Sequence, residues 1–234
     1  MAPKVLIVLT SQATISSVDK PTGWYLPEFA HPYYKLAGKC DITIASPAGG
    51  EAPLDQGSVK MFEGDEECQK FLKEESSLWK KTEKLESFKG KASQFDAIFY
   101  VGGHGPMFDL ANSAISHDII REFYESSKVV SAVCHGPAAL VNAKLSDGSY
   151  LIAGQQVTGF SNTEEDQVGM SKAMPFMLET DLKKNSGSDS LFVAAAEPWG
   201  SKVVVSGKNG KLITGQNPAS AGPVGEALLQ ALGA

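Results

Sequence analysis

Three short runs in this chain are almost unbrokenly apolar: KVLIVLT (4–10), FDAIFYVGG (95–103) and KVVSAVC (128–134). A strand exposed on one face alternates apolar and polar residues. A strand apolar throughout must be covered on both faces, which is the condition of a strand inside a parallel sheet. Four more short, β-rich runs are also expected as strands: CDITIAS (40–46), QQVTGF (155–160), SKVVVSG (201–207) and KLITG (211–215). Helices are expected between them. GWYLPEFAHPYYKLAG predicts one that ends at Gly38, and SHDIIREFYESS one capped by Ser116 with Ile119, Ile120 and Phe123 on its buried face. ASAGPVGEALLQALG reads as a C-terminal helix. Strand–helix alternation of this kind specifies an α/β fold, a doubly wound and mostly parallel sheet sandwiched by helices.

With 234 residues, 42% of them hydrophobic, the chain suits a single domain over 1–234 with a large core. The segment 63–93 differs. It is charged, mixed in sign and amphipathic, and reads as a helical insert or cap whose charges form a solvated face. A net charge of −6 argues against a nucleic-acid partner, which would call for a basic surface. No apolar run approaches the roughly 20 residues that cross a bilayer, so no membrane partner is expected. Val5 to Leu9 is too brief for a signal-peptide core. The three cysteines, odd in number and widely spaced, suggest reduced thiols, and the cytoplasm is the expected location, with nuclear entry open to a small protein.

The chemistry concentrates where strands end. In AVCHGP, Cys134 and His135 are neighbours, and neighbours on a strand point to opposite faces. They cooperate only if the chain turns sharply at Cys134. Gly136 permits a close approach there, and Pro137 suits the first turn of a helix. A strand–turn–helix elbow lifts its side chain to the carboxyl edge of the sheet, where α/β folds place ligands. The helix N-terminus would also lower the thiol's pKa. The bland alternative is a small buried hydrophobe beside a core histidine. A second elbow, YVGGHGPMFD, carries Gly103 and His104, and its amides suit an oxyanion.

Two carboxylate candidates complete the set. Glu28 lies early in an apolar helix; facing a pocket it would titrate high and shuttle protons, and facing solvent it is only a first-turn acid. Glu28 and His31 also form an (i, i+3) pair of metal-ligand type, but without a third ligand no metal is expected. After VTGFSN, one of Glu164, Glu165 and Asp166 would orient His135, unless the cluster is merely an acidic first turn capped by Ser161 or Asn162.

KVLIVLTS, TGWYLPEFAHPYY, VGGHGPMFDL, VSAVCHGPAAL, VTGFSNTEE, EPWG and LITGQNPASA, in this order from about residue 4 to residue 221, resemble the ThiJ/PfpI (DJ-1) superfamily. The resemblance narrows to its fungal branch of heat-shock chaperones, also described as glutathione-independent glyoxalases (glyoxalase III), and is poor over 47–93. It implies a flavodoxin-like sandwich, Cys134 as nucleophile, His135 as its partner, Glu28 as a carboxyl group against the thiol, and Glu165, or its neighbour Glu164, as the acid that orients the histidine. Gly103 and the His135 amide would form the oxyanion pocket, and His104 would line it. Pro27 before Glu28, and Met107 after GHGP, depart from the pattern and are expected to tilt the helix and to reshape the pocket. The implied activity is conversion of methylglyoxal, a small 2-oxoaldehyde, to lactate with no cofactor, because the thiol takes the part glutathione plays elsewhere. Trp24, Tyr25, Phe108, Phe160 and Trp199 are expected to wall the pocket, and a homodimer is implied.

Other functions fit the same residues. One is a stress-responsive holdase and thiol-oxidation sensor, binding unfolded client proteins through Phe71, Leu72, Leu78 and Trp79 of the insert. Another is an amidase or peptidase on the same elbow, which the adjacent His135 disfavours.

Overall fold

The computed structural model describes residues 2–234. β1 (Lys4–Val8) opens the chain, followed by a two-residue ladder of β2 (Thr14–Ile15) and β3 (Lys20–Pro21), and by α1 (Leu26–Leu36). After β4 (Asp41–Ser46) come α2 (Gln56–Met61), α3 (Glu66–Glu74), α4 (Ser77–Lys80) and the short β5 (Glu83–Lys84). β6 (Ala97–Tyr100), α5 (Pro106–Asp109), α6 (Ala114–Glu125) and β7 (Val129–Val133) follow. The remainder is α7 (Ala138–Val141), α8 (Asn162–Gln167), α9 (Leu178–Ser186), β8 (Val203–Ser206), β9 (Leu212–Gly215) and α10 (Ala221–Leu232).

One seven-stranded sheet runs in the order β5-β4-β1-β6-β7-β9-β8. Every neighbouring pair is parallel except β8 with β9. The three apolar runs are its centre: β6 and β7 are buried along their whole length, and β1 is buried beyond Lys4. α10 packs on β7 and β9 and against α1, while α6 packs on β6 and β7. Because the central strands share one direction, β1, β6 and β7 all end on the same edge. No helix among the described residues is long and apolar enough to cross a membrane.

Several local expectations are corrected. QQVTGF forms no strand; Val157 makes a lone bridge to Phe192. The reason is topological, since β9 is already paired with β7 on one side and β8 on the other. The segment instead runs over the edge of the sheet, where the Thr158 amide donates to Thr214 Oγ1. α6 is capped by Ser113, whose hydroxyl accepts from the Ser116 amide. Ser116 is buried, its hydroxyl paired with that of Tyr100 at 2.8 Å. α1 stops at Leu36, two residues before Gly38. Pro27 occupies its first turn, where no intrahelical amide is lost, and Met107 is buried in the core instead of shaping a pocket.

Residues 63–93 supply α3, α4 and the edge strand β5. Phe71 and Trp79, expected on an exposed surface, are buried. They stack on each other at 5.4 Å, with Phe29 4.8 Å from Phe71 and Trp24 5.3 Å from Trp79. The amphipathic face of this segment therefore closes over α1, and Trp24 belongs to that cluster rather than to a pocket.

The elbow after β7 depends on Gly136. A Cβ there would lie 2.4 Å from the Tyr100 carbonyl oxygen and 2.8 Å from that of Val133. Both are backbone atoms of central strands and cannot swing aside. Gly136→Ala is expected to lower unfolding stability by about 2 kcal/mol, in the range of overpacked cores. Denaturant melts measure it, and a loss below about 0.5 kcal/mol, the size of an ordinary surface change, would show that the strand ends are not rigidly placed.

Candidate active site

Cys134 follows the last residue of β7 and has φ +60°, the left-handed region that disfavours a side chain. Three hydrogen bonds hold it there. Its amide donates to the Gly215 carbonyl at 2.9 Å, its carbonyl accepts from the Phe160 amide at 2.8 Å, and the Gly136 amide closes the turn on Val133 at 2.7 Å. The backbone strain, about 1–3 kcal/mol in such cases, is thus set by the sheet itself. The thiol is turned off the strand axis and faces the histidine beside it.

Gly103, three residues beyond the end of β6, has φ +89°, and a Cβ on it would lie 2.2 Å from the Gly23 carbonyl oxygen. Only glycine lets this strand end pass so close to the segment leading into α1. Glu28, in the first turn of α1, is fully buried, and neither carboxyl oxygen has a partner at hydrogen-bond geometry among the described residues. Together Glu28, Gly103, His104, Cys134 and His135 line a cavity of about 60 Å³. Its remaining wall is Tyr25, Phe160, Val168, Trp199 and Pro218. At roughly 10–15 Å³ per water-sized occupant, this space admits a molecule of only a few heavy atoms.

Behind the cavity the polar groups form a chain. Cys134 Sγ is 3.4 Å from His135 Nδ1. His135 Nε2 is 2.6 Å from Glu165 Oε2, and His104 Nε2 is 2.9 Å from Glu165 Oε1. One carboxylate therefore holds two imidazoles, whose ring centres are 4.3 Å apart. Phe160 covers the other side of His135 at 4.4 Å.

Glu164, one residue away, is fully occupied elsewhere. Its Oε2 accepts from the Ser161 amide and hydroxyl in a capping box, and its Oε1 accepts from the Trp199 amide, Gln216 and Asn217. The geometry thus separates the two acids, which the sequence left open. Ser161 is the cap of α8 as well, so the capped turn engages Glu164 and the contact with His135 falls to Glu165 next to it.

The protonation states follow from burial and neighbours. Burial above all, then the Glu28 carboxyl, pushes the Cys134 thiol well above its ordinary range, against a pull from the Gly103 amide. This corrects the expectation of a lowered thiol pKa: α7 has only four residues and begins at Ala138, too short and too far to offset a buried carboxyl group. Burial likewise raises Glu28 well above the usual carboxylate range, although the thiol and the Gly102 and Gly103 amides oppose it. Burial and then His104 hold His135 below the ordinary imidazole value, although Glu165 pulls the other way. For Glu165 burial pulls upward, but His135 and His104 prevail and keep it ionised. The resting site is a thiol, a protonated Glu28, a neutral His135 and a Glu165 carboxylate.

An ionised carboxylate only accepts hydrogen bonds, so both imidazoles present Nε2–H to Glu165. Neutral His135 then has a bare Nδ1, and that is the atom facing the thiol. Glu165 has fixed the tautomer that can take the Cys134 proton. The His135 amide, with no acceptor among the described residues, and the Gly103 amide are the donors available to an oxyanion at the cavity.

Of the five aromatics expected in the wall, Tyr25, Phe160 and Trp199 line the cavity, whereas Trp24 and Phe108 do not. Val168 and Pro218 were not anticipated. Pro218 lies in the stretch TGQNPASA. His31 does not join Glu28. One turn further along α1 it meets Asp65 at 3.0 Å and Cys68 at 3.8 Å, so the missing third donor type exists but comes from α3 and its cap.

The DJ-1/PfpI family model matches residues 26–231 of the chain. Glyoxalase 3 of Candida albicans is 31% identical over 97% of this chain and 98% of its own. The glutathione-independent glyoxalase HSP31 of Saccharomyces cerevisiae is 32% identical over 94% of each chain. The crystal structure of glyoxalase III from Candida albicans superimposes with a TM-score of 0.85 at 29% identity, covering 98% of this chain and 97% of that one.

Proposed function

This chain belongs to the DJ-1/PfpI family, and on that premise we propose that it is a glutathione-independent glyoxalase that converts methylglyoxal to lactate at Cys134. One observation carries the reading. A thiol, an imidazole with its basic nitrogen facing that thiol, and a protonated carboxyl group meet in a cavity sized for a few heavy atoms.

The reaction needs no outside oxidant. Cys134 sulfur attacks the aldehyde carbon while its proton passes to His135 Nδ1, and the new alkoxide is held by the Gly103 and His135 amides. The alkoxide takes a proton to give a hemithioacetal. His135, neutral again after returning the thiol proton to the alkoxide, takes the hydrogen on that carbon as a proton, and the electron pair moves toward the neighbouring ketone, whose oxygen Glu28 protonates. The His135 imidazolium returns its proton to the second carbon of the enediol, while the hydroxyl proton on the first carbon goes back to Glu28. The first carbon has been oxidised to a thioester and the second reduced to an alcohol. Water releases lactate and restores the thiol. Substrate and water together carry all the atoms of the product.

The test is lactate formation from methylglyoxal without added glutathione or metal. Lactate is expected, and its absence overturns the proposal. The pH profile is a second check. His135 must be neutral to accept the thiol proton, and its pKa is lowered. Activity should therefore be retained down through the ordinary imidazole value of about 6.5 and be lost only below it. An acid limb centred above that value would mean that another group is the base.

A further inference from the structure

We propose that His31, Asp65 and Cys68 form a zinc site that ties α1 to α3, separate from the cavity at Cys134. The three donor atoms, one imidazole nitrogen, one carboxylate oxygen and one sulfur, all lie within 4.8 Å of one another. This is a donor set zinc favours, and a soft thiolate beside an imidazole selects against calcium or magnesium. The spacing is equally specific. Tetrahedral zinc, with bonds of about 2.0–2.1 Å to N and O and about 2.3 Å to S, places its donors roughly 3.2–3.6 Å apart. His31 Nε2 lies 3.0 Å from Asp65 Oδ2 and 3.8 Å from Cys68 Sγ, so both distances from the imidazole are within a few tenths of an ångström of that spacing.

The surrounding structure frees the right atoms. Asp65 caps α3 with Oδ1, which accepts from the Cys68 amide at 2.8 Å, and this fixes Oδ2 toward the imidazole. Asp65 and Cys68 are three residues apart on one helical turn, so both face α1 together. The His31 and Asp65 side chains are 22% and 29% exposed, which opens a path for the ion and a fourth position for water. Cys68 itself is buried. His31 and Glu28 are one turn apart on α1, so the ion would brace the helix that carries Glu28 without touching the cavity. The inference does not depend on the reaction at Cys134.

Cobalt(II) is the spectroscopic probe for the metal-free full-length protein. The expected result is one cobalt per chain, a near-ultraviolet thiolate-to-cobalt charge-transfer band, and displacement by zinc. Cys68→Ser should abolish the band, and Cys134→Ala should keep it, which separates this site from the His104, His135 and Glu165 cluster. Asp65→Asn retains the capping oxygen and so the helix, and should weaken cobalt binding by at least the roughly 10–100-fold that even an outer-sphere loss costs. Amide exchange in α1 and α3 should slow on zinc binding. Absence of the band at stoichiometric cobalt, its survival in Cys68→Ser, or its loss in Cys134→Ala would overturn the site.

Discussion

Cys134→Ala should reduce lactate formation by about four orders of magnitude or more, the loss seen when a nucleophile is removed from a unit that acts together. The fold should survive. Alanine meets the same left-handed backbone at position 134, and the bonds from Gly215 and Phe160 that hold it are backbone bonds untouched by the change. Stability should therefore shift by no more than about 1 kcal/mol, and circular dichroism should be unaltered. Adding glutathione to the variant should restore nothing. The cavity of about 60 Å³ has no room for a tripeptide thiol beside the substrate, so an external thiol cannot occupy the place of the sulfur. Activity above one per cent of wild type, or rescue by glutathione, would show that the sulfur is not the attacking atom.

The parts of this site written in local chemistry are legible in the sequence alone. The elbow at Cys134 follows from an apolar strand that meets His-Gly-Pro, and the geometry has the thiol beside His135 Nδ1. The parts that depend on which element lies next to which are not. Nothing local to SNTEED says that Glu164 turns inward to Gln216 and Asn217 while Glu165 meets two histidines. Helix rotation of one residue decides it, and the partners are 30 to 61 positions away along the chain. The direction of the Cys134 shift failed for a related reason. A helix N-terminus is visible in sequence, whereas the desolvation that overrules it comes from α1 and the β6 loop packing over the thiol. The 155–160 run failed as a strand because propensity cannot see that both edges of β9 are taken.

Glu165→Gln should lower kcat/KM by about a thousandfold, somewhat less than the roughly 10⁴-fold loss when the orienting acid of a serine-protease triad becomes its amide. A carboxylate accepts from both imidazoles, but a glutamine offers one oxygen and one NH₂ group. One histidine must then turn its lone pair toward the amide and carry its proton on Nδ1. If that histidine is His135, an N–H points at the Cys134 sulfur and cannot receive its proton. The substitution also removes the negative charge that stabilises the imidazolium formed in the first step. A double variant separates the two effects. With His104→Ala added, the amide oxygen is free to serve His135 alone, and about a tenfold recovery over Glu165→Gln is expected. No recovery would assign the whole loss to charge and remove the tautomer from the mechanism. Stability supplies an independent reading. The folded pKa of Glu165 is depressed below the unfolded value of about 4.3, so its contribution is fully present above that pH and is lost as pH falls through the folded pKa. The Tm difference between wild type and Glu165→Gln should accordingly be largest near neutrality and should shrink below about pH 4. A gap independent of pH would mean that the carboxylate is held by packing and not by the two histidines.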